Sequence, residues 1–173
     1  MSYSVDKLRF VDTSQLPAGF VLLAPASGVV CEISALSNHI IKSGCLGEGL
    51  AIALTGNKLY APFDGTVTQI PDTGHRIVLK AKNGLKVILL FAHDNEQLMG
   101  EGFHPKVRNN TKVQAGQLIA SFNLQAYSKL TPHTPHYLAL MIVNSELVGD
   151  IYYSHQKVTE AEDILLTVTA KKG

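Results

Sequence analysis

Short apolar or alternating runs recur along the chain at Phe20–Ala24, Leu50–Leu54, Val67–Ile70, Arg76–Lys82, Leu85–Ala92, Gln117–Phe122, Tyr137–Val143 and Ile164–Val168. Gly, Pro, Asn and Asp punctuate them, residues that end strands and build turns. Runs this short, rich in β-branched residues, predict strands rather than helices. Only Leu124–Leu130 has helical character, and it is short. The expected fold is all-β, a sandwich or flattened barrel. Residues 1–18 read as a polar, partly flexible lead-in. No linker composition divides residues 19–173, which read as one β domain.

Two local features refine this outline. Ala24-Pro-Ala-Ser-Gly-Val-Val30 returns as Ala61-Pro-Phe-Asp-Gly-Thr-Val67, each copy passing from an extended Ala-Pro step through a Gly turn into a strand. Asn83-Gly84, flanked by apolar runs, predicts a two-residue type I′ hairpin turn. That turn sets His75 opposite Ala92 and Ile77 opposite Leu90. Residues 75, 77, 90 and 92 then share one sheet face, with His75 and position 90 about 7–8 Å apart on a diagonal.

Composition narrows the class without choosing a function. Hydrophobic residues make up 46% and charged residues 17%, and the net charge of +1 gives no electrostatic case for nucleic acid or anionic membrane. No run approaches the ~20 apolar residues of a membrane span, and the N-terminus lacks a basic-then-apolar leader. Cys31 and Cys45 lack CxxC spacing and read as reduced thiols of a cytoplasmic protein.

The stretches Thr55–Val67, Asp72-Thr-Gly-His75, Gly100-Glu-Gly-Phe103 and Val113–Leu118 closely resemble the glucose-type enzyme IIA domain of the bacterial sugar phosphotransferase system. With the repeat, the resemblance implies two related halves in a flattened β-barrel or sandwich of the duplicated hybrid motif type. It also implies a site. In the family one histidine accepts the phosphoryl group on a ring nitrogen, and a second histidine hydrogen-bonds the transferred oxygens. Here His75 matches the partner histidine and Thr73 the threonine that orients the network. Asp94 matches an acidic rim residue, with Glu146 a candidate for another such position. The phosphate-accepting histidine falls, without a gap, on Leu90.

Leucine has no nucleophilic lone pair, so phosphohistidine cannot form at that position. Other departures cluster around it. Phe91-Ala92-His93-Asp94 replaces the family's Phe-Gly-Ile-Asp, and Asn38 stands where aspartate is usual. Ile40, Ile41, Leu46 and Ile88, with Leu90, correspond to the apolar collar on which the family docks its partners. The resemblance implies protein partners: the histidine-containing phosphocarrier protein, an enzyme IIB domain, or regulated transporters and kinases. It implies no cofactor.

Two functions follow from the resemblance. One is a regulator that binds partners and carries no phosphate. The other is a phosphocarrier in sugar uptake using His75 or His93, although the expected register turns His93 to the opposite face from His75. A remoter reading is a zinc peptidase on a related scaffold, suggested by His133-Thr-Pro-His136. A catalytic zinc takes three protein ligands, and the corresponding upstream stretch Gly44–Gly49 supplies none. No metal is therefore expected. His39, His104 and His155 read as surface residues.

Overall fold

In the computed structural model, which describes residues 7–33, 48–72, 76–91, 102–128, 136–154 and 156–171, the apolar runs form strands of three open sheets. The largest runs β10 (Thr111–Val113), β6 (Gly65–Gln69), β7 (Arg76–Ala81), β8 (Lys86–Phe91), β12 (Tyr137–Ile142), β4 (Glu48–Leu54), β3 (Gly28–Glu32), β14 (Lys157–Val158). Every neighbouring pair in it is antiparallel. A second sheet runs β1 (Leu8–Phe10), β13 (Val148–Tyr153), β15 (Ile164–Ala170), β2 (Phe20–Leu23), and a third β5 (Lys58–Tyr60), β11 (Leu118–Phe122), β9 (Phe103–Pro105). The fold is thus the sandwich of the two expected forms, and its sheets close no barrel among the described residues. A single turn of helix, α1 (Leu124–Ser128), occupies the expected helical segment.

Residues 8–10 depart from the expected lead-in. They pair in parallel with β13, Val11 N–H donates to Tyr153 O at 3.0 Å, and the Phe10 and Tyr153 rings meet edge-on at 5.2 Å. Leu8 and Phe10 alternate with Lys7 and Arg9, a strand pattern too short to stand out from its polar surroundings. Its identity as a strand comes from pairing with β13.

The main core fills the space between the sheets and includes Leu22, Leu50, Ile52, Phe63, Ile77, Leu79 and Leu89. The central strands are covered on both faces. Val87, Leu89 and Phe91 of β8 face the main core, while Ile88 and Leu90 join a second apolar cluster with Val78, Ala51, Ala139 and Met141. This explains why β8 reads as a continuous apolar run rather than an alternating one.

The halves are related through their hydrogen bonds as well as their sequence. Leu23 N–H donates to Pro62 O and Tyr60 N–H to Pro25 O, both at 2.8 Å, so the two Ala-Pro steps exchange equivalent bonds. A second, fainter echo accompanies the first. Lys112-Val113 pairs with Thr66-Gly65 as Lys157-Val158 pairs with Val29-Gly28. Gly116 N–H reaches Ala61 O at 2.8 Å, and Ala161 N–H reaches Ala24 O at 2.9 Å. Both turn residues have positive φ, +82° at Gly116 and 61° at Ala161. Sequence reading missed this second echo because only Lys-Val is shared at its start.

Candidate functional site

The β7–β8 hairpin places Leu90, and its turn is not the expected one. Gly84 has φ +94°, its N–H donates to Ala81 O at 3.0 Å, and Ala81 N–H donates to Leu85 O at 2.8 Å. The loop is therefore the three residues Lys82, Asn83 and Gly84, with glycine in the left-handed position. Two asparagines hold it. Asn83 Oδ1 accepts Leu85 N–H at 3.0 Å; Asn144 donates from Nδ2 to Gly84 O at 2.8 Å and accepts Lys86 N–H at 2.9 Å.

One extra loop residue shifts the register by one. Arg76, not Ile77, lies opposite Leu90, and Ile77 lies opposite Leu89. Ile77 consequently faces the main core while Leu90 faces the second cluster, which corrects the expectation that the two share a face. The diagonal relation of His75 to position 90 rested on that register and no longer follows from it. His75, Thr73, Asp94, His93, Asn38, Ile40, Ile41 and Leu46 lie outside the described residues.

Leu90 occupies one row that crosses five strands: Arg76, Leu90, Ala139, Ala51 and Cys31. Directly paired residues project on the same face with Cβ atoms about 4.5–5.5 Å apart. Leu90 is half-buried and Arg76 exposed, so an apolar floor ends in a guanidinium at its margin. Ile88, expected to offer docking surface, is 1% exposed and packs within the same cluster as Leu90. Burial pushes the Cys31 thiol above its usual 9.0, so it stays an uncharged, weakly reactive group. Leu90 has no acid–base or nucleophilic capacity; Ala139 and Ala51 are fully buried, so the accessible surface of this row is the half-buried Leu90 and Cys31 with one fixed positive charge at its margin.

Glu146 does not join Leu90. It sits in the 3₁₀ turn Ser145–Leu147, beyond the hairpin end of β12, where Val143 N–H meets Lys86 O at 3.0 Å. Leu90 pairs with Ala139, four residues back along the strand, or ~13 Å. Arg76 is the residue that sequence reading missed. Its signal, adjacency to His75, was hidden by the one-residue slip in register.

Of the two histidines weighed as metal ligands, His133 lies outside the described residues. His136 is 6% exposed, just ahead of β12, and its carbonyl accepts Leu54 N–H at 2.8 Å. No group of three or more His, Cys, Asp or Glu suited to a metal occurs among the described residues. Burial holds the His136 imidazole below its usual 6.5. The unfolded chain therefore takes up a proton before the folded one does. Stability should be full above pH 6.5 and fall as pH drops from there to the lowered folded value. Urea melts of wild type and His136→Gln between pH 7.5 and 5 test this; the substitution should flatten the decline. His104 is exposed on β9, as expected.

Residues 20–146 match the profile of the phosphoenolpyruvate-dependent sugar phosphotransferase system, EIIA 1 family, and the chain belongs to that family. It is 29% identical over 165 residues to the glucose-specific EIIA component of Borreliella burgdorferi, covering 92% of this chain and 84% of that protein. It is 29% identical to the glucoside-specific EIICBA component of Staphylococcus carnosus and 34% identical to the beta-glucoside-specific EIIBCA component of Dickeya chrysanthemi. These alignments cover 90% and 83% of this chain but only 22% and 23% of those longer proteins. Glucose permease IIA from Mycoplasma capricolum shares the fold, with a TM-score of 0.74 at 22% identity over 87% of this chain and 96% of that one. Among the described residues no helix is long and apolar enough to cross a membrane.

Proposed function

We propose that this enzyme IIA-like protein is a cytoplasmic, phosphorylation-deficient regulator that binds partners through the face around Leu90. The carrying observation is the residue at position 90. It matches the family's phosphate-accepting histidine, has no ring nitrogen, and packs into the second apolar cluster. Phosphoryl transfer requires an unprotonated nucleophile aligned with the donor, and a leucine has none. The same leucine preserves apolar surface, which is what a docking face needs. Chain organisation in the relatives indicates the partner class. Names such as EIICBA and EIIBCA place EIIB and EIIC components in one chain with an EIIA domain. An enzyme IIB domain, the histidine-containing phosphocarrier protein, and regulated transporters or kinases are the candidate partners.

Binding of such a partner should be insensitive to phosphoenolpyruvate and the general phosphotransfer proteins, because no phosphoryl group arrives to change the face. Leu90→Asp should weaken it by about 30-fold or more, the effect of charging a central apolar contact. Calorimetric titration of a purified IIB domain, with and without the phosphorylating mixture, provides the check. Affinity that switches with the mixture would return the protein to the phosphocarrier class, on His75 or His93.

A further inference from the structure

Toward the β10 edge of the largest sheet, on the same face as Leu90, the row Lys86, Lys80, Thr66, Lys112 crosses β8, β7, β6 and β10. Three lysines thus project from one face on neighbouring strands about 4.8 Å apart. Lys80, Lys112 and Lys82 from the hairpin turn, together with Thr66, Asp64 and Gln117, line a depression of about 560 Å³. That volume suits a small ligand.

Three observations mark this cluster as more than a solvated surface. First, Lys80 is directly opposite Lys86, an arrangement that repels and destabilises a sheet. Second, the four lysines have no carboxylate partner among the described residues, unlike Arg9, which pairs with Asp150. Asp64, the acid in the wall, accepts Ala115 N–H at 2.7 Å through Oδ1. Third, the duplicated scaffold does not demand the row. Its counterpart in the other half reads Lys157, Val29, Ala53, Tyr137, with one lysine at the edge and none inside. The chain's net charge is only +1, so general basicity does not account for the concentration either.

We infer that this depression is a binding site for a small polyanion carrying two phosphate-type groups, such as a diphosphate or bisphosphate ester. Lys80 and Lys112 are two strand spacings apart, ~10 Å, and Lys80 and Lys82 are ~7 Å apart along the chain. Flexible ammonium groups on such a triangle converge on two adjacent phosphates better than on one. Gln117 accepts Gln114 N–H through Oε1 at 3.0 Å, which turns its amide nitrogen away from that bond as a further donor.

Amide-resolved NMR titration of the full chain with inorganic pyrophosphate tests the site. Saturable shifts should centre on Thr66, Ala81 and Lys112–Gln114, with orthophosphate binding several-fold more weakly. Lys80→Gln with Lys112→Gln should weaken pyrophosphate by about tenfold or more, for two lost charge-assisted contacts. Lys157→Gln, the counterpart in the other half, should change it less than about twofold, and exposed lysine substitutions of this kind should preserve the folded spectrum. Shifts that never saturate, that spread over all surface lysines, or that respond equally to Lys157→Gln would overturn the inference. So would a polyglutamate peptide that binds tighter than pyrophosphate at the same residues, which would assign the patch to an acidic protein.

Discussion

Incubated with phosphoenolpyruvate and the general phosphotransfer proteins, the wild-type chain should gain no acid-labile phosphate in intact-mass measurements. Deleting a nucleophile outright slows a group transfer by on the order of 10³-fold or more, and Leu90 supplies no replacement atom. Leu90→His should restore part of the uptake. The new imidazole would stand half-buried in the second cluster, directly opposite Arg76. Desolvation and the neighbouring guanidinium both disfavour its protonated form, leaving at neutral pH the free nitrogen that a phosphoryl acceptor needs. The guanidinium is also placed to pair with the arriving phosphoryl oxygens. Adding Ala92→Gly and His93→Ile, which return two positions to the family's residues, should raise the yield further, and Arg76→Gln in the same background should lower it. Stoichiometric label on wild type would sink the pseudo-carrier reading, and peptide mapping to His75 or His93 would establish the alternative. A folded triple variant that stays unlabelled would mean the phosphocarrier protein no longer docks on this face.

The second large effect concerns the paired glycines that open β3 and β6. A Cβ on Gly28 would stand 2.0 Å from Ala53 O, and one on Gly65 would stand 2.3 Å from Lys80 O. Both obstacles are backbone atoms of the adjacent strand, which no rotamer change can move. Gly28→Ala and Gly65→Ala should therefore each cost about 3 kcal/mol or more, at the upper end for an overpacked site. That is a large part of the 5–15 kcal/mol typical of a domain. Gly84→Ala is the informative contrast. Nothing lies within 4 Å of its Cβ, but φ is +94°, so its cost should be only about 1 kcal/mol. Denaturant melts that showed all three equal would mean that conformational strain, not close approach, governs the two strand glycines.

Much of the architecture was legible before any coordinates. Phe20–Ala24, Leu50–Leu54 and Tyr137–Val143 are continuous apolar runs whose strands needed only burial to form, and all three lie within a residue or two of the expected ends. Leu8–Phe10 and Lys157–Val158 were not legible. Each is only two or three residues long, so its identity as a strand depends on the neighbour that pairs with it. The match of Leu90 to the family's acceptor position, on which the proposed function rests, comes from the ungapped count between His75 and Phe103.

What the sequence alone determined is therefore the class of fold, its doubling, and the apolar, non-nucleophilic side chain at position 90, because periodicity, turn residues and residue type are local properties. The facing of the site was decided only by tertiary structure. Asn83 and Gly84 are compatible with a two- or three-residue loop, and the clamp from Asn144, 60 residues away, accompanies the longer one. With a side-chain period of two, that single residue exchanges one face for the other, putting Arg76 rather than Ile77 beside Leu90. The lysine row arose in the same way, since Lys80, Lys86 and Lys112 become neighbours only when β10, β6, β7 and β8 assemble in this register.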